Sequence, residues 1–198
     1  MPIPEPPKPF YMKDMVDREV DRFAAQENPT QHDLNRVDVA AQIQQGIDRY
    51  RAKAANMSFD DFMNEKHRSR RLGKMMACAG EPRPSKRCDA HAIVSGGHRF
   101  SAVSRAVMAW CGMRIDDPHN GCWLPRGEED KPHMPPHLRK AVAHNRIHRD
   151  AYYDWLRTVI NRTSVKGTDD LIRVLRMVKT RLQSSALPPR VIPPARKV

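Results

Sequence analysis

The chain has no stretch of about 18 consecutive apolar residues, the length that a transmembrane helix needs. The N-terminal segment, residues 1–7, also lacks the basic start and the apolar run of a secretory signal peptide. We therefore expect no membrane insertion. If the protein leaves its cell, we expect it not to use the general secretory route.

The sequence is also poor in clustered cysteines. It has four, Cys78, Cys88, Cys111 and Cys122, and no two of them form a Cys-x-x-Cys pair. This spacing argues against a zinc ribbon and favours reduced, partly buried thiols. A disulfide between Cys78 and Cys88, or a dispersed site of four thiolates, stays open as an alternative. The His-x-Glu and Pro-Cys-x-x-Cys blocks of zinc-dependent base deaminases are missing, which argues against that chemistry.

Acidic residues are the minority among the charged residues. The 35 Lys and Arg against 23 Asp and Glu give a formal net charge of +12. Such an excess attracts polyanions and makes nucleic acid the leading partner, with a generally basic, solvated surface as the alternative. The basic run from Lys66 to Arg71 is a candidate for phosphate contact. With 198 residues, 39% of them hydrophobic, the chain can bury a core.

Hydrophobic periodicity predicts a mainly α protein with a small two-stranded β element. The predicted helices cover about residues 12–26, 31–55, a segment that begins at Ser58, and residues 100–112, 137–161 and 169–183. One predicted strand begins at His91 and is closed by Gly96-Gly97, and the other is Cys122-Trp123-Leu124. Gly112 is a suitable glycine for the end of the helix before it.

The organisation along the chain predicts three parts. Residues 1–80 form a helical N-terminal segment, residues 81–165 a core that contains both strands, and residues 166–198 a final helix with a basic, Pro-rich tail. The loop Glu81-Pro82-Arg83-Pro84 is the most credible internal boundary. Residues 1–10 are Pro-rich and are expected to be extended.

Histidines mark a candidate metal site. In the predicted helix, His144 and His148 are four residues apart and project from one face, so both imidazoles can reach one divalent ion. His91, on a strand against that helix, can supply a third ligand. Three protein ligands leave coordination positions open, which is typical of catalytic sites. Taken alone, each of these histidines is as consistent with a structural role as with metal binding. His133 and His137 are more typical of loop residues.

Together with their neighbours, these histidines resemble a known family, the AHH nucleases of the HNH/endonuclease VII superfamily, whose core is called ββα-metal or His-Me finger. The family pattern is Ala-His-His, a later Asn-Gly before Leu-Pro, and two histidines ahead of Tyr-Tyr. The corresponding blocks are Ala90-His91-Ala92, Asn120-Gly121-Cys122-Trp123-Leu124-Pro125, and His144 and His148 ahead of Tyr152-Tyr153. The resemblance covers about residues 88–162 and implies a ββα-metal core embedded in helices.

The resemblance also implies roles for single residues. His91, His144 and His148 would bind one divalent ion, which can be Mg²⁺, Mn²⁺, Zn²⁺ or Ni²⁺. Asn120 would orient the general base, and Gly121 would permit a tight turn into the second strand.

The base position itself holds Ala92, which cannot accept a proton. General-base catalysis typically contributes about 10²–10⁴-fold to the rate. The sequence therefore predicts an endonuclease that is inactive or strongly impaired, with Ala92 either natural or engineered. His98 or His119 supplying a base is the alternative.

Members of this family are commonly toxin domains of bacterial competition systems such as type VI secretion. The resemblance implies a DNA endonuclease that is cytoplasmic in the producer and acts in the cytoplasm of the target cell. DNA, a cognate immunity protein and a secretion-apparatus or chaperone partner would be its partners. Arg99, Arg146 and Arg149 are candidate DNA contacts. A non-enzymatic nucleic-acid-binding protein with a structural metal is the alternative.

Overall fold

The computed structural model describes residues 8–192. The expectations for residues 1–7 and 193–198, the outer parts of the Pro-rich ends, lie outside the described residues. The elements in chain order are α1 (Met15–Ala24), α2 (Gln31–Ala52), α3 (Phe59–Asn64), α4 (Ser69–Cys78), β1 (Cys88–Ala92), α5 (Ala102–Trp110), β2 (Gly121–Pro125), α6 (Asp150–Val159) and α7 (Thr168–Ser184). Short 3-10 turns connect several of them. The predicted fold class, mainly helical with one small sheet, is confirmed.

The N-terminal helices begin where their capping residues predict. Asp14, Thr30 and Ser58 each accept a hydrogen bond from the backbone N–H three residues later, where an aspartate completes the capping box. Because Asp14 is the cap, α1 begins at Met15 rather than at residue 12. Helix α2 ends at Ala52 and continues as a 3-10 turn.

The sheet is a single antiparallel pair in which His91 lies opposite Cys122 and Ala92 opposite Gly121. Helix α4 packs across both strands through Leu72 and Met76, which are fully buried. A Cβ built on Gly121 would lie 2.5 Å from Met76 Sδ and 2.9 Å from Leu72 Cδ1. The φ of −111° at Gly121 is extended backbone. The close approach of α4 therefore requires this glycine, and the predicted tight turn does not.

Helix α4 is absent from the sequence-based prediction. Its first turn lies in the basic run Lys66 to Arg71, for which the sequence predicts only a candidate phosphate contact. Of the ten residues of α4, only Leu72 and Met76 are buried. Because two buried positions make a short apolar stripe, hydrophobic periodicity does not distinguish this helix from a polar loop.

The predicted helix over residues 137–161 is wrong at its start, since α6 begins at Asp150. The preceding segment is tied to other elements instead: the Val142 N–H donates to the Leu182 carbonyl (2.8 Å) and the Asn145 N–H to the Arg126 carbonyl (3.2 Å). His144 therefore begins a 3-10 turn, and His148 precedes α6. The helix before Gly112 ends as predicted, with that glycine at φ 67°.

The four cysteines are free thiols, so the alternative disulfide between Cys78 and Cys88 is not formed. Burial raises the pKa of Cys122 to about 12, which keeps this thiol protonated. Within residues 8–192, the metal-binding cluster consists of histidines and includes no cysteine. In the same range, no helix combines the length and apolarity needed to cross a bilayer.

Candidate metal centre

Three histidines from three separate segments converge at one end of the sheet. His91 lies near the end of β1, His144 begins a 3-10 turn, and His148 lies two residues before α6. One ring nitrogen from each lies within 4.8 Å of the others, and the ring centroids are 5.1 to 5.5 Å apart. The structure thus brings together the three residues that the family resemblance implies as ligands.

In two of these rings, Nδ1 already has a hydrogen-bond partner. His144 Nδ1 lies 3.2 Å from Asp89 Oδ2, and His148 Nδ1 lies 3.1 Å from the Tyr153 hydroxyl oxygen. The two Nε2 atoms face each other at 3.2 Å. Two imidazole nitrogens at this distance need a shared proton or a cation between them, because facing lone pairs repel. The geometry fits a divalent cation bound through Nε2.

His91 is 1% exposed, and neither of its ring nitrogens has a hydrogen-bond partner. Leaving a buried polar group unpaired costs about 1–3 kcal/mol, so such a group needs a functional explanation. Burial, followed by the charges of His144 and His148, holds the pKa of His91 well below 6.5. Burial and the charge of His144 also lower the pKa of His148. Neutral imidazoles are the form that binds a metal ion.

Asn120 is fully buried and holds the backbone just beyond β1. Its Oδ1 accepts from the Val94 N–H at 2.8 Å, while its Nδ2 donates to the carbonyls of Val94 (3.1 Å) and Ile115 (2.8 Å). Ala92, two residues before Val94, is 6% exposed. Asn120 therefore fixes the chain at the family's base position, where this sequence has no proton acceptor.

The three candidate DNA-contacting arginines differ in their surroundings. Arg149 and Arg99 are exposed, and Arg99 lies over the Phe100 ring at 4.5 Å. Arg146 instead donates to Glu128 Oε1 at 3.0 Å. Arg99 and Arg149 are thus the two that face solvent, one beside His98 and the other beside His148.

Sequence reasoning missed the partners that orient two of the imidazoles. Asp89 alternates with His91 along β1, and this spacing of two residues places both on one face of the strand. That signal was available in the sequence. The contact of Tyr153 with His148 has no such signal, because it depends on where α6 begins. Tyr152, Tyr153 and Trp155 of α6 are buried and belong to the hydrophobic core.

Comparison with known proteins agrees with this geometry. A family model described as a nuclease family of the HNH/ENDO VII superfamily with conserved AHH matches residues 72–182. No curated protein and no solved structure gives a significant match to the chain. The matched range begins inside α4 and contains both strands and all three histidines of the metal centre. Because this match spans more than half of the sequence, the chain belongs to the AHH nuclease family of the HNH/endonuclease VII superfamily.

Proposed function

We propose that this protein is a metal-dependent DNA endonuclease whose metal ligands are His91, His144 and His148. One observation carries the proposal: two imidazoles present their Nε2 atoms to each other beside a third imidazole that is buried without any hydrogen-bond partner. A set of three ligands leaves coordination positions for a substrate, which favours catalysis over the alternative of a structural metal.

A divalent ion held there would neutralise a non-bridging phosphate oxygen and stabilise the departing 3′ oxygen. The protein's own residues position that chemistry. Asp89 and Tyr153 occupy the Nδ1 atoms of His144 and His148, which leaves both Nε2 atoms to face the centre. Burial lowers the pKa of His91 and so favours its neutral form.

A nucleic-acid substrate is supported by the net charge of +12. The exposed side chains of Arg99 and Arg149 are suited to phosphates beside the centre. Because contacts of this kind address phosphate rather than base edges, we propose cleavage with little sequence preference, and DNA as the substrate.

At the position where the family has its general base, this chain has Ala92, which cannot accept a proton. If no other residue substitutes, cleavage is slower by about 10²–10⁴-fold, the usual contribution of a general base. An inactive or strongly impaired chain therefore remains the prediction from the motif alone.

Cleavage of supercoiled plasmid by the wild type and by Ala92→His, with Mg²⁺, Mn²⁺, Zn²⁺ or Ni²⁺, tests the activity. We expect metal-dependent nicking by Ala92→His, and its loss when His148→Ala is added. A matched RNA substrate tests the choice of DNA. The proposal fails if Ala92→His binds metal but leaves DNA intact with every ion.

We also propose that the nuclease acts as a toxin in bacterial competition, delivered by type VI or a related system. This proposal rests on the common role of the family. Residues 1–80 would serve in loading, delivery or DNA grip, residues 81–165 would form the nuclease core, and residues 166–198 would form a C-terminal helix and a basic, Pro-rich tail. A chaperone or secretion-apparatus partner and a cognate immunity protein would accompany it.

Expression of Ala92→His in a bacterial cytoplasm tests the toxin role. We expect growth arrest with degraded chromosomal DNA, and normal growth when His148→Ala is added. Normal growth with intact DNA in cells that hold active, metal-loaded Ala92→His would contradict the toxin role and leave the nuclease standing.

A further inference from the structure

One exposed arginine lies on the sheet face that carries the metal centre. Arg126 directly follows β2, and its backbone N–H donates to the Arg87 carbonyl at 3.0 Å, so the strand pairing continues by one residue. Leu124, two residues earlier, lies opposite Asp89. Residues directly opposite each other share a face, and so do residues two apart on one strand. Arg126 therefore lies on the same face as Asp89 and His91.

Two contacts hold Arg126 beside the ligand His144. Its Nε lies 3.5 Å from Asp89 Oδ1, while Oδ2 of the same carboxylate lies 3.2 Å from His144 Nδ1. The Arg126 carbonyl also accepts from the Asn145 N–H at 3.2 Å, which ties the chain after β2 to the residue that follows His144. Arg126 is therefore held next to the ligand through its backbone and through a carboxylate that both side chains contact.

The guanidinium of Arg126 is open to a ligand. The side chain is 60% exposed, against 31% for that of Asp89. The ion pair uses Nε, and within residues 8–192 neither terminal nitrogen of Arg126 makes a hydrogen bond. The N–H groups of a guanidinium match the geometry of phosphate oxygens. Arg126 can therefore keep its contact with Asp89 and bind a phosphate at the same time.

Two further arginines add positive charge at this end of the sheet. The side chains of Arg83 and Arg87 are about half-exposed. Arg87 pairs at 3.1 Å with Asp130, whose side chain is nearly buried. Arg83 Nε donates to the Cys88 carbonyl at 2.8 Å. Together with Arg126, the surface here presents three guanidinium groups that are more exposed than the acids beside them.

Arg126 lies on the His144 side of the metal centre. The Nε2 atoms of His144 and His148 face each other at 3.2 Å, so their Nδ1 atoms point away from the centre. Beyond Nδ1 of His144 lie Asp89 and Arg126. Beyond Nδ1 of His148 lies Tyr153 instead. Because an imidazole and a carboxylate separate Arg126 from the centre, a phosphate bound to Arg126 is a neighbour of the phosphate at the metal.

We propose that Arg126 is a substrate-binding residue of this nuclease, which holds the DNA phosphate next to the one that is cleaved. The inference rests on the proposed nuclease function. The DNA strand then runs from the metal centre along the exposed end of the sheet, past Arg87 and Arg83. Because this contact is the same in the ground state and in the transition state, it lowers the Kd and the KM for DNA and leaves kcat unchanged.

Binding of a short labelled DNA duplex to the chelator-treated protein, measured by fluorescence anisotropy, tests the contact without cleavage. We expect Arg126→Ala to raise the Kd about tenfold and to reduce the slope of log K against log salt by about 0.9, the share of one phosphate contact. Arg126→Lys, which keeps the charge, should recover part of the affinity. Arg157→Ala is the matched control, at an exposed arginine that also pairs with an aspartate, and should bind like the wild type.

Cleavage in the Ala92→His background tests where the contact lies. There, Arg126→Ala should raise KM about tenfold with kcat unchanged. At one mapped linkage of a duplex, each neighbouring phosphate is replaced in turn by a neutral methylphosphonate. On one side of the linkage, this replacement should slow cleavage by Ala92→His at low DNA concentration and have no further effect once Arg126→Ala is added. A purely structural role of Arg126 does not produce that loss of sensitivity.

The outcomes separate this inference from the proposed function. If Ala92→His cleaves DNA and Arg126→Ala binds DNA as tightly as Arg157→Ala does, Arg126 forms only a solvated ion pair and the inference is overturned. Sensitivity to the methylphosphonates that persists in Arg126→Ala, or a metal affinity lowered about tenfold or more, assigns it a structural role through Asp89 and also overturns it. If Ala92→His binds metal and leaves DNA intact with every ion, the proposed function itself fails.

Discussion

Two of the three ligand imidazoles, His144 and His148, are oriented by the contact that their Nδ1 atom makes. Asp89 accepts from His144 Nδ1, and such carboxylate partners raise the basicity of a ligand and hold its ring in place. The buried Asp116 holds His67 in the same way. In both pairs the aspartate contacts Nδ1, so Nε2 is the ring nitrogen that faces away from the carboxylate.

Replacing Asp89 tests this control at the metal centre. We predict that Asp89→Asn lowers the affinity for a divalent ion about 10–100-fold, because the amide keeps a hydrogen bond but removes the charge. Titration calorimetry measures the affinity. Asp154→Asn, at an exposed acid paired with Arg157, is the control and should leave it unchanged. Equal affinities in the two variants would contradict the role given to Asp89.

Asn120 supports the same region through the backbone. We predict that Asn120→Ala lowers the free energy of unfolding by about 1–3 kcal/mol for each buried group it leaves unpaired at Val94 and Ile115. Chemical denaturation measures this loss. Asn56→Ala, at an exposed 3-10 turn, should change stability by less than about 0.5 kcal/mol. A similarly small loss at Asn120 would show that these hydrogen bonds are dispensable.

At the scale of elements, α4 packs closely against β2, and Gly121 makes this close approach possible. We predict that Gly121→Ala destabilises the protein by about 1–3 kcal/mol, because its Cβ would overlap Met76 and Leu72. Gly46→Ala in α2 is the matched control. With nothing within 4 Å of its Cβ, it should be neutral or stabilise by up to about 1 kcal/mol. Thermal unfolding of both variants checks the contrast, and an equal change would contradict it.

The elements that could be predicted are those with local signals. Apolar periodicity located α2, Ser58 marked the start of α3, and the motif blocks located β2 and the three histidines that converge. The strand predicted to begin at His91 was wrong in its bounds, because β1 begins at Cys88 and ends at Ala92. The start of α6 was missed because backbone bonds to Arg126 and Leu182 hold the preceding segment out of the helix. The contact of His67 with Asp116 joins residues 49 positions apart, and no local pattern reports it.

At the scale of the whole molecule, ion pairs to largely buried carboxylates join the N-terminal helices to the nuclease core. Arg51 of α2 donates to Asp117 at 2.8 Å, and Glu65, which follows α3, accepts from Arg114. The sequence indicates only turn formers at Asp116 and Asp117. Their carboxylates instead hold the segment before α4 and helix α2 against the chain that leads into β2. The proposed boundary near residue 80 remains a prediction.

Buried histidines make the stability of the metal-free protein depend on pH. Burial lowers the pKa of His91, His119 and His148 below the value of 6.5 expected in an unfolded chain. As the pH falls below that value, the unfolded chain binds more protons than the folded one, so acid favours unfolding.

We therefore predict that the free energy of unfolding falls between about pH 7.5 and pH 5, and falls less in His119→Gln. Denaturant titrations of the chelator-treated protein at the two pH values measure the change. A constant free energy over this range would contradict the prediction.

The central claim is that one divalent ion is held by three imidazoles with coordination positions left open. X-ray absorption of the zinc- or manganese-loaded protein, together with the metal content per chain, tests it most directly. We predict one ion per chain with three nitrogen ligands and additional oxygen ligands from solvent, lost when His91, His144 or His148 is replaced by alanine. A closed shell of four protein ligands, or binding that survives these replacements, would contradict the account.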